Sequence, residues 1–511
     1  MSEKPYSHDA EIWVKKSYFT RIQGLIRNII KLREGILLII LVCLLFFIAG
    51  ALGGWWFLNK IVPVFIVNQV HKDMREVDFA FHTLNTFCLR TFLYDIEPRI
   101  YPYLNEKMLS KIHRRLRSDH SIVIEAAIRG MSSDAQMAEY LLKTGLLKEM
   151  SITPEEARKQ LSFIDDTANK FQPKSACTHY YPTLPPDPPI RIQAEFESIG
   201  AVVLSFPVYY PPGWKIHAEF IRQITSQAAA FVIVPNLYWQ KAVMLYLSWR
   251  NIITSPLKFF HFLTDDVWTR DYGPTGVLFG KEQRPAFIWN PYYIRAQNYY
   301  KFDAEATAAL SMSLDIPAYR LPMVIDGGNI LTDGKGTMIM FESVLDVNPD
   351  IDRPKLEKIV RDYFGCTRLI TFPACRGDIT GHIDMAAKFI NEDTLMVSRA
   401  AKAFKWHEDF EKIAEHLGQC KSVNGKDYTI VRVPMPQTKR ASKNVWTYIN
   451  SLTLNKKVIV PTFGVPEDDQ ALEIYRSSMP DYEIVGIDFH HYPVGSVHCQ
   501  SKEIHQTLFN G

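Results

Sequence analysis

Between residues 268 and 499, four short segments carry the residue types of a covalent reaction at a cationic carbon. They are Trp268-Thr-Arg-Asp-Tyr-Gly-Pro274, Gly381-His-Ile-Asp384, Asn450-Ser-Leu-Thr-Leu-Asn455 and Val497-His-Cys499. Together they supply two carboxylates (Asp271, Asp384), an imidazole (His382), an amide (Asn450) and a thiol (Cys499). Carboxylates at its edge hold a planar, delocalised cation such as a guanidinium away from water. A thiolate then attacks the central carbon, and an imidazole carries a proton to the departing nitrogen.

The local sequence suggests how these groups are presented. Asp271 precedes Tyr272-Gly273-Pro274, a turn signal that ends a strand. His382 and Asp384 are two apart, so on a strand they share one face, and the apolar run Met385–Ile390 supports a strand there. Taken singly, each has a plainer reading: Asp271 caps a turn or pairs with Arg270, His-x-Asp arises by chance, and Cys499 is a buried thiol. His498, adjacent to Cys499, faces the other way on an extended chain. His490, His491, His498, Cys499 and His505 cluster near the C-terminus, but their spacings match no usual zinc pattern, and no metal is expected. A papain-like cysteine protease would use the same residue types, but its local signature around the cysteine is missing and the cysteine comes last.

The elements that must position these groups lie within a 511-residue chain with 47% hydrophobic residues, 22% charged residues and net charge +3. That is enough for a large core, and it gives no electrostatic footprint for nucleic acid. Seven scattered cysteines without C-x-x-C form no disulfide framework. Residues 35–58 run 24 positions without a charge. As a helix they reach ~36 Å, enough to cross a ~30 Å hydrocarbon core, with Trp55 and Trp56 at one interface. The 34-residue stretch before them is too long for a signal peptide. Lys4, Lys15, Lys16, Arg21, Arg27, Lys31 and Arg33 precede the span, against Lys60, Lys72 and Arg75 after it. The expectation is a single-pass protein of a bacterial inner membrane: residues 1–34 cytoplasmic and basic, the remainder periplasmic.

Residues 59–171 read as mainly helical and membrane-proximal, a stalk, sensor or partner-binding region with no evident chemistry. Thr153-Pro-Glu-Glu156 opens a helix whose apolar spacing continues to Phe171. Six prolines make 172–189 an extended linker. From 190 to 511, strands (Gly200–Phe206, Ala229–Val234, Lys457–Val460, Tyr482–Ile487) alternate with helical stretches such as Glu467–Ser478, which argues α/β architecture.

Residues 190–511 resemble the agmatine deiminase and Porphyromonas-type peptidylarginine deiminase family of the guanidino-group-modifying superfamily. The resemblance runs in order through Ala194-Glu-Phe-Glu197, WTRDYGP, Ile325-Asp-Gly-Gly-Asn-Ile330, Thr332-Asp-Gly-Lys-Gly336, GHID, NSLTLNKKVIVP, Met479-Pro-Asp-Tyr-Glu-Ile484 and VHC. It implies a five-bladed pseudo-symmetric α/β propeller with the site on its axis. It further implies Cys499 as nucleophile, His382 as general acid/base, and Asp271 and Asp384 as guanidinium-binding carboxylates. Asn450 and Trp268 are implied as substrate contacts, with no cofactor. The implied ligand is a small guanidino compound or an arginine-containing peptide. WTRDYGP, the asparagine of NSLTLN and MPDYEI are closer to the peptidylarginine branch, in which Arg295 falls where a C-terminal carboxylate is held. Agmatine is the alternative substrate. Asp326 stands where agmatine deiminases usually have glutamate, and Tyr492-Pro-Val-Gly-Ser496 replaces their Gly-rich run. Amidinotransfer uses the same residue set, but no acceptor-amine site is evident. A membrane-tethered sensor or binding module with an inactive deiminase-like domain is the reading from another class.

Overall fold

The computed structural model describes residues 131–164, 170–171 and 184–509, apart from 209–212, 253–254, 265, 291–300, 376–377, 379, 438–445 and 491–495. The expected span 35–58, its flank 1–34, most of 59–171, most of the linker and Arg295 lie outside the described residues. Among the described residues, no helix is long and apolar enough to cross a membrane. The chain divides into compact units at Met131/Ser132, and the second of them, Ser132–Gly511, holds the site.

Among the described residues, five separate sheets are built from one repeated pattern: two antiparallel strands, a helix, then a parallel strand. In the second sheet, Thr275–Phe279 pairs antiparallel with Arg284–Trp289, helix Lys301–Leu314 follows, and Ala318–Arg320 returns parallel. The third runs Leu331–Thr332, Thr337–Phe341, helix Arg353–Phe364 and Arg368–Phe372. The fourth runs Ala387–Asn391, Thr394–Arg399, helix His407–Gln419 and Thr429–Pro434. The fifth runs Leu452–Leu454, Lys457–Thr462, helix Glu467–Ser478 and Glu483–Asp488. In the first sheet the opening strand comes from the far end of the chain. Lys502–His505 pairs antiparallel with Ile199–Ser205, then helix Trp214–Thr225 leads to Ala229–Val234, parallel. A helical crossover is what a parallel neighbour requires.

Strand alternation explains how neighbouring units pack. In Thr337–Phe341 every residue is buried. Met338 and Met340 join the core made with Val277, Ile288, Leu356 and Phe364. Ile339 and Phe341 face the opposite core, with Phe389, Val397, Trp406 and Phe410. A strand covered on both faces reads as a continuous apolar run, as TMIMF does.

The unit also takes in the end of the 59–171 segment. Helices Asp134–Lys143, Leu146–Met150 and Pro154–Phe163 pack beside helix Leu237–Trp249. Tyr140 meets Trp239 edge-on at 4.7 Å, Lys241 Nζ lies 3.1 Å from Asp134, and Tyr246 donates to Glu149 at 2.8 Å. Thr153 and Glu156 form a reciprocal capping box at the expected helix start. The helix stops at Phe163 rather than Phe171, with Ile164 extended. Asp165 and Asp166 follow in sequence, and carboxylates are unfavourable at the negative end of a helix dipole.

Candidate active site

Each expected site residue that the structure describes, except Trp268, lies within five residues of the first strand of a unit: Asp271 before Thr275, His382 and Asp384 before Ala387, Asn450 before Leu452 and Cys499 before Lys502. Asp326 holds the same place before Leu331. The local conformations differ from those expected. Asp271 sits in a helical turn, Thr269–Tyr272, not at a strand end; Gly273 N–H donates to Thr269 O at 2.7 Å to close that turn. His382 and Asp384 are not on a strand either. His382 is extended, and Asp384 lies in the 3-10 turn Ile383–Met385. The strand begins only at Ala387. Asn329 fixes this lead-in by accepting from Ile383 N–H (3.3 Å) and Phe341 N–H (2.7 Å).

His382 stands between two carboxylates, Nδ1 3.4 Å from Asp271 Oδ1 and Nε2 3.1 Å from Asp326 Oδ2. Burial opposes its charge, but the two aspartates outweigh burial and raise its pKa to about 10. It is therefore an imidazolium at neutral pH. The ligand atoms of Asp271, Asp326 and His382 lie within 4.8 Å of one another, a spacing that also suits a cation. A metal needs the neutral imidazole, whereas here both ring nitrogens face carboxylates. The paired glycines make room for this arrangement. A Cβ on Gly328 would lie 2.6 Å from His382 Nδ1 and 2.8 Å from Asp271 Oδ1, and one on Gly327 would lie 2.0 Å from Arg270 O.

Cys499 is 7% exposed and packs with Val267, Trp268 and Met385. Its backbone N–H donates to Asn450 Oδ1 at 3.2 Å. Burial, then the charges of Asp384 and Asp271, push the thiol well above its ordinary pKa. Asn450 Nδ2 donates to Asp384 Oδ2 at 3.1 Å, while Asp384 Oδ1 is buried with no hydrogen-bond partner. Cys499, His382, Asp271, Asp384, Asn450 and Trp268 thus lie together. Among the described residues, the C-terminal histidines take separate partners: His490 meets Phe463 O, His505 meets Ala194 O, and His498 lies between Asp384 and Glu195.

Three neighbours of the site have no role in it from the sequence alone. Arg270 pairs with Glu503 (2.6 Å) rather than Asp271, and its backbone N–H donates to Cys499 O at 3.2 Å. Asp326 holds His382, and Glu195 contacts His498 across 303 residues. Their only sequence signal was membership of the motifs quoted above, because nothing local fixes such distant pairings.

A buried thiol between two carboxylates, with a charged imidazole beside them, is the apparatus of a hydrolase acting on carbon–nitrogen bonds of linear amidines. The sequence profile of the Porphyromonas-type peptidyl-arginine deiminases matches residues 191–504, and the chain belongs to that family. Two curated relatives share the description "Putative agmatine deiminase". The one from Streptomyces coelicolor is 28% identical over 48% of this chain and 77% of its own length. The one from Selenomonas ruminantium is 25% identical over 61% and 94%. Agmatine deiminase of Enterococcus faecalis has the same fold, with a TM-score of 0.56 at 19% identity, covering 62% of this chain and 96% of that one.

Proposed function

We propose that this chain is a membrane-anchored deiminase that converts the guanidinium of peptidyl- or C-terminal arginine to citrulline and ammonia. The observation that carries the reading is the buried Cys499 thiol under the charges of both Asp271 and Asp384, beside the cationic His382. A guanidinium entering there offsets both carboxylates and removes the charge that keeps the thiol protonated, so the thiol gives its proton to bulk water. The thiolate attacks the guanidinium carbon, forming the C–S bond. The His382 imidazolium gives its proton to one nitrogen, which leaves as ammonia, and an S-alkylthiouronium remains. Neutral His382 then takes a proton from water as the oxygen bonds to carbon. Collapse to the ureido product breaks the C–S bond and restores the thiolate, and the hydroxyl proton leaves with ammonia as ammonium. Asn450 and Trp268 shape the wall beside the sulfur, and Arg295 is assigned to a terminal carboxylate.

The peptidylarginine substrate draws support from the matched profile and from the expected placement beyond the membrane, where peptides are met. Agmatine, giving N-carbamoylputrescine, is the second reading, favoured by the description of both curated relatives. Five like units, the first completed by the last strand, support a closed five-bladed propeller with the site on its axis. The charge-free run 35–58 supports a single inner-membrane pass with residues 1–34 cytoplasmic and the catalytic domain periplasmic, leaving 59–131 for a protein partner.

The test is ureido-product formation by the full-length protein offered agmatine, free arginine and an arginine-terminated peptide, with Cys499→Ala as control. Citrulline from the peptide, lost in the variant, supports the first reading, and carbamoylputrescine alone transfers it to agmatine. Silence on all three leaves a tethered binding module. Reporter fusions on either side of 35–58 test the orientation.

A further inference from the structure

Two residues that this chemistry leaves unused lie directly behind Asp384. His498 Nδ1 stands 2.7 Å from Asp384 Oδ2, and His498 Nε2 stands 2.8 Å from Glu195 Oε2. A neutral imidazole offers one N–H donor and one acceptor, so only the imidazolium serves two carboxylates at once. Glu195 is itself fixed, its Oε1 accepting from Lys388 Nζ (2.5 Å) and Thr453 N–H (2.6 Å). At the other end, His498 and Asn450 converge on the same Asp384 oxygen. The second oxygen, Oδ1, is left buried and without a hydrogen-bond partner.

We propose that Glu195, His498 and Asp384 form a charge-assisted relay in which His498 is a positioning residue. Bonded to both carboxylates at once, it keeps Asp384 turned so that Oδ1 meets the N–H edge of the incoming cation. The relay rests on the guanidinium-site reading above. Three carboxylates, Asp271, Asp326 and Asp384, surround this site, and the His382 imidazolium is shared by the first two. The charges of His382 and Arg270 also reach Asp384, but His498 is the histidine that hydrogen-bonds to it, from behind, and so leaves the substrate face open.

The other charged groups facing the relay do not replace it. On the substrate side are Cys499, Asp271 and His382. On the other, Arg270, Lys502, Glu503 and His505 line a polar cleft with Glu195 and His498. Arg270 is paired with Glu503 and Lys388 with Glu195, and neither hydrogen-bonds to Asp384.

The experiment is steady-state kinetics across pH on the full-length protein, comparing wild type, His498→Gln, Glu195→Gln and the double variant. Glutamine keeps a donor at 498 but not the charge. The expected result for His498→Gln is a KM raised at least tenfold, with the acid limb of kcat/KM moved up by about one pH unit. Glu195→Gln moves the limb the same way, and the double variant is no worse than His498→Gln, because both act through one carboxylate. An unmoved limb with unchanged KM overturns the relay, even if kcat falls. Should His498→Gln fail to fold, an unmoved limb in Glu195→Gln has the same consequence. Wild-type turnover tests the underlying reading separately. If wild type turns over no guanidino compound, that reading falls and takes the relay with it. If wild type is active while the variants keep its KM and acid limb, only the relay falls.

Discussion

The α-carbon of Gly328 faces His382 so closely that an added Cβ would lie 2.6 Å from Nδ1. The neighbouring Gly327 is hemmed in by backbone instead, 2.0 Å from Arg270 O. The two glycines therefore fail in different ways. Gly328→Ala is expected to displace His382 and Asp271 while leaving the fold intact, lowering kcat/KM by about 100-fold or more. Gly327→Ala is expected to cost about 3 kcal/mol, because a carbonyl cannot move aside as a side chain can. Kinetics beside urea denaturation of both variants separates the two outcomes.

Cys499 is expected to react slowly while the site is empty. Its pKa is raised well above the ordinary value by burial and by Asp384 and Asp271. Iodoacetamide labelling, followed on the Cys499 peptide by mass spectrometry, should therefore keep rising with pH beyond about 8.5, where an ordinary thiol levels off. Asp384→Asn removes a negative charge and should speed labelling at pH 8 by about tenfold. An unchanged rate would show that the carboxylate does not act on the sulfur.

His382 links stability to alkaline pH. Its folded pKa is raised from 6.5 to about 10, so its contribution is fully present below 6.5 and is lost as pH rises through 10. Between pH 7 and 8, before most thiols titrate in the unfolded chain, stability should fall by roughly 1.4 kcal/mol from this group alone. Urea denaturation at pH 7, 8 and 9 should give a shallower slope in His382→Gln.

Asn450 serves both sides of the site, accepting from Cys499 N–H and donating to Asp384. Asn450→Asp keeps the acceptor but loses the donor, and sets a like charge beside Asp384. A fall in kcat/KM of about 100-fold is expected, with partial recovery at low pH, where the new carboxyl is protonated. A pH–rate profile of the variant checks this.

Arg270 and Glu503 form a buried pair at 2.6 Å, with side chains 3% and 10% exposed. Arg270→Met removes the nearest counter-charge of Glu503, leaving it Lys502 Nζ at 3.7 Å, and is expected to cost about 3 kcal/mol. Adding Glu503→Met should recover much of that loss, and a double-mutant cycle measures it.

Much of this was legible in the chain. Helix Glu467–Ser478 and strand Ala229–Val234 match the structure because period and propensity agree there. Cys499, His382, Asp271, Asp384 and Asn450 do converge. The backbone that presents them was read wrongly, since tertiary braces set it: Asn329 holds the turn before Ala387, and the bond from Arg270 N–H to Cys499 O ties the Asp271 turn to the thiol segment. Asp326 and Glu195 lay in quoted motifs, but their partners sit 56 and 303 residues away, where a single sequence carries no pairing information.

The strand Lys502–His505 that completes the first sheet follows Cys499 by only a few residues. During synthesis the aspartates, His382 and Asn450 therefore leave the ribosome before the sulfur does. A nascent or truncated chain that lacks this last strand is short of a sheet edge, and a cut only slightly earlier removes the reactive atom too. Copies cut just before residue 499 carry every other group of the site but not the sulfur.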